Sequence, residues 1–418
     1  MKNFDEKAIS MSRKNKGKIE IKPKVKIKSF EDFSMIYTPG VAAVSRLIKE
    51  KGEKYLTYKW NSIAIVTDGT RVLGLGNIGP DAAMPVMEGK ALLFKYLGGV
   101  DAVPITLGTT DADKIVETVK AMAPSFSGIN LEDIESPKAF DILERLQREL
   151  NIPVWHDDNQ GTAAVALGAF INALKLTNRK ASDARIVFIG AGTANISILR
   201  FFRAYGVDPR KVVVADSKGV LYRGRSDENE LKVKNRQKYE IIQETNEDNF
   251  TTVEEAVKGA DAIIAASAKG AVKEEWVRSM NKDSIVFALA NPDPDIDEEK
   301  ALRAGAKIYG TGRSDLPNQV NNSLVFPGVF RGVLDVQARK ITDNMAIAAS
   351  LELAKYAEEK GLRADYIVPR MDEREVYYRI AAGVGIEAQK EHLTESNMSY
   401  DELYENAKKL ISGSKAKP

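Results

Sequence analysis

Residues 185–205, RIVFIGAGTANISILRFFRAY, decide the fold. The apolar run at its start is typical of a buried strand, and the run from Ala194 to Tyr205 is typical of a helix. Gly190-Ala191-Gly192 joins the two. The first glycine permits a tight turn, and the second lets a pyrophosphate approach the backbone at the helix N-terminus. The stretch therefore predicts a dinucleotide-binding turn, and its candidate residues are Gly190, Ala191, Gly192, Thr193 and Ala194.

The next predicted strand ends at Asp216, which lies 24 residues after Gly192. This is close to the spacing of about 20 residues expected for an acid on the adenine ribose. The third glycine position of the fingerprint holds Asn195, which is a departure from the pattern. Asp216 disfavours a 2′-phosphate, whereas Ser217 and Lys218 could bind one. The sequence therefore permits NAD, NADP or both, with a lean toward NADP; a solvated turn would also explain these three residues.

Strands and helices alternate on both sides of this stretch, which predicts an α/β fold with largely parallel sheets. We predict an N-terminal α/β domain over 1–155 and a Rossmann-like, doubly wound domain with C-terminal helices over 156–418. Before the turn, the predicted strands are 63–67, 100–106, 128–131 and 152–155, and the helices are 82–96, 111–123 and 137–150. After it, we predict strands at 262–266 and 284–289 and helices at 345–361 and 375–391.

The composition of the 418 residues is typical of a globular protein, with 44% hydrophobic and 29% charged residues. The net charge of +2 argues against a general nucleic-acid binder. The chain has no cysteine and 2 histidines, which excludes disulfides, thiolate metal sites and a histidine-rich zinc site. The first ten residues lack an apolar core, and no apolar run reaches the ~18 residues of a membrane span. We therefore expect no membrane association and a cytoplasmic location.

The N-terminal 30 residues are strongly basic. Ile19 to Lys28 alternates apolar and charged residues and contains Pro23, which predicts an edge strand or an extended arm. An anionic partner would explain the charge, but a solvated face with an apolar underside explains it as well.

Two acidic pairs follow predicted strands, Glu132-Asp133 and Asp157-Asp158. Open α/β sheets bind ligands at the carboxyl ends of their strands, so these four carboxylates are expected near a ligand. Converging oxygen ligands without cysteine suit Mg²⁺ or Mn²⁺. Taken singly, such a pair is more often a helix cap or a solvated turn, so the hypothesis depends on the whole constellation.

Other polar residues can serve chemistry or structure. Lys90 would be a solvated lysine on a helix unless burial turns it into a base. Tyr37 lies in a tight turn and would either present its phenol or pack over that turn. Asn321 and Asn322 lie in a polar loop, where amides could bind a carboxylate or simply satisfy the turn.

At these positions the sequence resembles the malic enzymes, over roughly residues 15 to 390. The matching motifs occur in the order and spacing of that family. They are YTPGVA (37–42), TDGTRVLGLG (67–76), PVMEGK (85–90), HDDNQGTA (156–163), ANP (290–292) and the asparagine pair 321–322. The length is similar to that of the short bacterial and archaeal members. The resemblance implies a malic-type N-terminal domain followed by an NAD(P)-binding domain.

The family oxidises L-malate with NAD(P)⁺ and decarboxylates it to pyruvate and CO₂ with Mg²⁺ or Mn²⁺. By resemblance, Lys90 is the general base, Asp157 shares or tunes its proton, and Tyr37 is the general acid that protonates the product enol. The remaining matches are the metal ligands Glu132, Asp133 and Asp158, Asn291 near the nicotinamide, and Arg71, Asn321 and Asn322 on the substrate. The family also suggests a homodimer.

Two alternatives stay open. A malolactic-type enzyme would keep the same site and release lactate without net redox change. A non-catalytic nucleotide-sensing protein could use the same fold, although Lys90, Tyr37 and the metal carboxylates are all present.

Overall fold

The chain, described over residues 2–414 by a computed structural model, begins with three largely exposed helices. They are α1 (Lys2–Asn15), α2 (Phe30–Ile36) and α3 (Val41–Lys51). We call residues 2–51 the N-terminal arm. Residues 19–28 within it are irregular and exposed, so of the two expected forms the structure shows the extended arm and not the edge strand. Pro23 lacks the N–H that a sheet ladder requires.

The first sheet has four parallel strands in the order β2-β1-β3-β4. The strands are β1 (Ser62–Thr67), β2 (Asp101–Thr106), β3 (Ile129–Leu131) and β4 (Val154–His156). The helices are α4 (Gly79–Gly98), α5 (Ala112–Met122) and α6 (Lys138–Glu149). Successive side chains of a strand point to opposite faces. Ile63 and Ile65 therefore pack with residues of α4, whereas Ala64 and Val66 pack with α5 and α6.

The second sheet has six strands in the order β10-β9-β8-β5-β6-β7, and all its pairs are parallel except β6–β7. The strands are β5 (Ile186–Ile189), β6 (Val212–Asp216), β7 (Gly219–Val220), β8 (Ala262–Ala265), β9 (Ser284–Ala288) and β10 (Ala306–Thr311). The chain leaves β5 on one side and returns to β8 on the other, which is the switch point of a doubly wound sheet. The predicted fold class is confirmed.

Helices surround the second sheet and continue beyond it. Around the sheet lie α7 (Thr162–Leu176), α8 (Thr193–Tyr205), α9 (Glu228–Lys234), α10 (Arg236–Glu244), α11 (Val253–Val257), α12 (Glu274–Ser279) and α13 (Glu298–Arg303). The C-terminal helices are α14 (Phe326–Asp335), α15 (Asp343–Lys360), α16 (Glu375–Lys390) and α17 (Tyr400–Gly413). The helices predicted at 345–361 and 375–391 correspond to α15 and α16. Among residues 2–414, no helix combines the length and apolar character needed to cross a bilayer.

The two halves meet at buried contacts. Arg331 of α14 is fully buried and donates to Asp335 at 2.8 Å and to Asn61, which precedes β1, at 2.6 Å.

Nearly all of α7 is buried, and Phe170 stacks on Phe202 of α8 with ring centroids 4.2 Å apart. The boundary between residues 155 and 156 stays a prediction. The last strand of the first sheet, β4, ends at His156, one residue past this boundary, and α7 packs with the second half.

Candidate active site

The carboxyl ends of the two sheets border a common cleft of about 560 Å³. This volume lies in the usual range for small-ligand sites. Most of the predicted site residues line it: Arg71, Lys90, Glu132, Asp133, Asp158, Gly192, Thr193, Ala194, Asn291, Asn321 and Asn322. The structure thus brings together residues that are up to about 250 positions apart in the sequence.

Three carboxylates converge at the N-terminal side of this cleft. Glu132 and Asp133 follow β3, and Asp158 lies in a single π-helical turn after the neighbouring β4. The backbone N–H of Asp133 donates to Asp158 Oδ2 at 2.8 Å, and one oxygen of each of the three carboxylates lies within 4.8 Å of the others. Asp133 has φ 52°, a left-handed conformation that costs a non-glycine residue ~1 kcal/mol or more. Such a set of hard oxygen donors fits Mg²⁺ or Mn²⁺.

Lys90 extends from α4 into the same cluster and is 9% exposed. Its Nζ donates to Glu132 Oε1 at 2.5 Å and to Asp157 Oδ2. The other oxygen of Asp157 accepts from Trp155 Nε1 at 2.9 Å, and the other oxygen of Glu132 accepts from Asn130 Nδ2 at 2.9 Å. Lys90 and both its partners are therefore held by buried groups on β3 and β4.

Burial and charge act against each other in this cluster. Burial would lower the pKa of Lys90, but Asp157, Glu132 and Asp158 outweigh it and raise that pKa above its ordinary value. Burial raises the pKa of Glu132 well above its ordinary value and also raises that of Asp157, although Lys90 opposes both shifts. Lys90 is a single ammonium beside the three carboxylates Glu132, Asp157 and Asp158. A divalent cation would relieve this excess of negative charge.

The glycine turn on the other side of the cleft has the shape that a dinucleotide requires. Gly190 has φ +100°, and a β-carbon there would lie 2.8 Å from the carbonyl oxygen of Ala266 at the end of β8. Asn195, in the third glycine position, is buried and donates its Nδ2 to the carbonyl oxygens of Ile189 and Gly190, both at 2.9 Å. The asparagine therefore holds the turn closed. This explains physically how the fingerprint can depart from glycine.

Asp216 lies at the end of β6, beside the glycine turn, in a closed cluster of charges. Its Oδ1 accepts from the Lys218 backbone N–H at 2.9 Å and from Arg225 Nη1 at 2.9 Å. Its Oδ2 accepts from Arg225 Nη2 at 3.1 Å and from Lys238 Nζ at 2.8 Å. Burial would raise the pKa of Asp216, but the hydrogen bonds from Arg225 and Lys238 lower it below its ordinary value. A carboxylate has about four acceptor positions, and all four are occupied.

The proposed substrate residues line the cleft, and Tyr37 does not. Arg71 is exposed, and its backbone N–H donates to the carbonyl oxygen of Asp133 at 3.0 Å. Asn321 donates to the Gly312 carbonyl at 3.4 Å and accepts from the backbone N–H of Ser323 at 3.0 Å. Tyr37 lies on the N-terminal arm, where it is 74% exposed. The catalytic, metal-binding and substrate-binding roles given to these residues stay predictions.

Sequence reasoning missed several supporting residues. Trp155 and Asn130 each lie two positions before the carboxylate that they contact, Asp157 and Glu132. The i, i+2 spacing along a strand places side chains on one face, so this signal was available. Lys238 offered no such signal, because it reaches Asp216 from α10 across 22 residues.

Comparison with known proteins places the whole arrangement in one family. Residues 16–147 match the family model for the malic enzyme N-terminal domain, and residues 159–389 match that for the malic enzyme NAD-binding domain. A bifunctional malic/malolactic enzyme of Bacillus subtilis is 47% identical over 97% of this chain and 98% of its own length. An NAD-dependent malic enzyme of Geobacillus stearothermophilus is 47% identical over 88% of this chain and 76% of its own.

A solved structure agrees with the sequence comparisons. The crystal structure of the Entamoeba histolytica malic enzyme superimposes with a TM-score of 0.95 at 44% identity, covering 98% of this chain and 87% of that one. The matched regions include both sheets and the cleft between them. The chain belongs to the malic enzyme family.

Proposed function

We propose that this protein oxidises L-malate and decarboxylates it to pyruvate and CO₂, with reduction of NAD(P)⁺. The observation that carries this proposal is the single cleft that holds Lys90, three converging carboxylates and a dinucleotide turn. A bound NAD(P)⁺ supplies the hydride acceptor. The names of the relatives support the same reaction.

The residues at the N-terminal side of the cleft would bind malate and move its hydroxyl proton. Lys90 first passes a proton from Nζ to Asp157, to which it is already hydrogen-bonded, and the neutral Nζ then accepts the proton of the C2 hydroxyl as hydride leaves C2. Arg71, Asn321 and Asn322 would hold the substrate carboxylates. Glu132, Asp133 and Asp158 would hold Mg²⁺ or Mn²⁺, which acts as a Lewis acid when bound.

A direct assay tests the proposal. L-Malate and Mn²⁺ are mixed with NAD⁺ or NADP⁺, with and without a chelator, and absorbance of the reduced cofactor is followed. We expect chelator-sensitive reduction with one pyruvate formed per reduced cofactor. The absence of both reduced cofactor and lactate would reject malate as the substrate.

The name of the Bacillus subtilis relative favours a second activity in the same cleft. A malolactic reaction would return the hydride to the product and release lactate without net cofactor reduction. Lactate formed from malate without accumulation of NAD(P)H would establish it. Pyruvate alone, at all cofactor concentrations, would exclude it.

We further propose that the protein uses both dinucleotides and prefers NADP⁺. Because Asp216 has no free acceptor, it cannot take hydrogen bonds from the ribose hydroxyls, which removes the usual basis for preferring NAD⁺. Lys218 is 65% exposed in its side chain and has donors to spare beyond its 3.0 Å ion pair with Asp227.

Lys218→Ala should raise KM for NADP⁺ about tenfold, the effect of losing one charge-assisted hydrogen bond. KM for NAD⁺ should stay within about twofold of its original value, since NAD⁺ has no 2′-phosphate. Steady-state kinetics with each cofactor at saturating malate measures both. Lys211→Ala is the matched control, because Lys211 lies at the opposite end of β6. An equal rise for both cofactors would show that Lys218 does not contact the 2′-phosphate.

A homodimer is the proposed assembly. Neither α2 nor α3 has a buried residue, although they carry apolar side chains such as Phe30, Phe33, Ile36 and Val44. Short helices are not stable in water without packing, and a contiguous exposed apolar surface marks an interface. A second copy covering the arm would supply that packing. Light scattering during gel filtration should give twice the chain mass, and the mass of one chain would reject the dimer.

Tyr37→Phe should slow steady-state pyruvate formation about a hundredfold and leave the first turnover of NAD(P)H formation unchanged. Because Tyr37 does not line the cleft of its own chain, its proposed role as the acid for the enol carbon requires that the arm reach the cleft of the second copy in the dimer. This step follows hydride transfer, and such acid catalysis contributes about 10²- to 10⁴-fold. Rapid mixing resolves the first turnover. Pyruvate formation at the original rate would place the acid elsewhere. Tyr58→Phe, which changes another exposed tyrosine, is the control.

A further inference from the structure

Apart from Arg71, which would hold a substrate carboxylate, the loop of residues 69–79 has no role in the reaction as described above. We call it the cleft loop. It follows β1 at the switch point of the first sheet. The proposed mechanism gives its residues Gly74-Leu75-Gly76 no contact with the metal, the transferred proton or the cofactor. Its contacts nevertheless join the two sides of the active site.

The cleft loop is held rigidly to the metal-ligand segment. Its two ends close on each other, because the N–H groups of Ile78 and Gly79 donate to the carbonyl of Gly69 at 3.2 and 3.3 Å. The Arg71 N–H donates to the carbonyl of Asp133 at 3.0 Å. The hydroxyl of Thr70 accepts from the backbone N–H of Glu135 at 3.0 Å. Direct hydrogen bonds therefore join the cleft loop to the segment that carries Glu132 and Asp133.

The tip of the cleft loop touches the cofactor side. A β-carbon built on Gly74 would lie less than 3.0 Å from the carbonyl oxygen of Asn291 and 2.8 Å from Cδ of Pro292. Side-chain β-carbons essentially never approach other atoms that closely. Only glycine therefore permits this contact between the two halves of the cleft.

Buried hydrogen bonds hold the segment around Asn291, which Gly74 contacts, in place. Asp295 is fully buried, and its two oxygens accept from the backbone N–H of Ala290 at 3.0 Å and of Ser267 at 2.9 Å. Behind Asn291, a β-carbon on Gly312 would lie 2.9 Å from the carbonyl oxygen of Leu289 and less than 3.0 Å from Asn291 Nδ2. Asn291 is thus packed between Gly74 and Gly312. A methyl group on Gly74 would therefore push the two halves of the cleft apart by roughly 1 Å rather than displace the segment around Asn291.

We propose that Gly74 is a positioning residue that sets the distance between the metal-ligand side and the nicotinamide side of the cleft. The inference rests on the proposed malate oxidation, since it concerns the distance over which hydride is transferred. Gly74→Ala should lower kcat for malate oxidation about a hundredfold. A displacement of about 1 Å between two reacting groups, here malate and the nicotinamide, can slow their reaction by that factor. KM for the dinucleotide should stay within about threefold, because the dinucleotide turn lies on one half of the cleft. KM for malate should rise, because Arg71 lies on one half and Asn321 and Asn322 lie on the other.

The experiment uses the full chain and a matched control, Gly108→Ala. Gly108 lies in a loop of the same half, where an added β-carbon meets open space. The readouts are kcat and KM, the isotope effect with malate deuterated at C2, Mn²⁺-dependent decarboxylation of oxaloacetate, and binding of Mn²⁺ and of NADPH. For Gly74→Ala we expect a larger isotope effect and unchanged oxaloacetate decarboxylation and binding, since neither needs hydride transfer.

Each other outcome overturns a defined claim. Original kcat in Gly74→Ala would overturn the inference. An equal loss of oxaloacetate decarboxylation and Mn²⁺ binding, or failure of the variant to fold, would assign Gly74 to local folding and also overturn it. If the unmodified protein does not oxidise malate, the proposed function fails, whatever the variant does.

Discussion

Lys90→Ala is expected to reduce kcat for malate oxidation about a thousandfold, within the range contributed by a positioned general base. Lys90 is the only nitrogen that the cleft places against both Glu132 and Asp157 among residues 2–414. Without Lys90, no neutral amine can form beside Glu132 and Asp157 to accept the hydroxyl proton of malate. The rate of NAD(P)H formation at saturating malate, cofactor and Mn²⁺ measures the effect.

The substitution also removes the positive charge that pairs with the buried carboxylates Glu132 and Asp157. Because burial already raises the pKa values of Glu132 and Asp157, loss of Lys90 raises both further and favours their neutral forms. Breaking a buried ion pair in this way costs about 3–5 kcal/mol of folding stability. The thermal midpoint must therefore be measured together with the rate, and the assay run well below it.

Lys95→Ala is the matched control for this prediction. Lys95 lies on the same helix, but its side chain is 43% exposed and pairs with Asp101 outside the cleft. NADPH binding to Lys90→Ala should persist, since no atom of Lys90 belongs to the dinucleotide turn. A kcat within about threefold of the original, in folded Lys90→Ala, would mean that another group accepts the proton.

The sequence predicted most strands of the two sheets, because these strands are apolar runs with clear ends, but it did not predict β7 or β10. Ile186–Ile189 and Ala262–Ala265 are buried on both faces, and both lie within the predicted ranges. The helix α14 was not predicted, although its apolar residues recur with a helical period, because Pro327-Gly328 at its start is typical of a turn. The arm helices α2 and α3 were not predicted either, and none of their residues is buried.

The site was predictable where motifs are contiguous and unpredictable where charges pair across the fold. Glu132-Asp133 and Asp157-Asp158 follow strands, and their position at one sheet edge follows from parallel topology. No pattern indicates that Arg225 and Lys238 fill the acceptors of Asp216, because such ion pairs depend on the path of α9 and α10. The contact of Gly74 with Asn291 is likewise invisible in the sequence, since it depends on how the two halves are packed.

Asp158→Asn is expected to weaken Mn²⁺ binding at least a hundredfold and to abolish metal-dependent malate oxidation at ordinary Mn²⁺ concentrations. Loss of a residue that merely supports a ligand already costs about 10- to 100-fold, so loss of a ligand charge should cost at least as much. The change is nearly isosteric. Asparagine keeps an oxygen that can accept the 2.8 Å hydrogen bond from the Asp133 N–H, so the turn after β4 should retain its shape.

This isostery makes the experiment decisive. If the carboxylates act only as a structural cluster, Asp158→Asn should relieve repulsion among them and raise stability without affecting the reaction. If they hold the cation, the same variant should be at least as stable but unable to bind Mn²⁺ in titration calorimetry, while NADPH binding continues. Asp113→Asn, which changes an exposed carboxylate paired with Arg145 on the same half, controls for a general loss of negative charge. Full activity of Asp158→Asn with unchanged Mn²⁺ affinity would remove Asp158 from the ligand set and leave Glu132 and Asp133 too few to hold the metal alone.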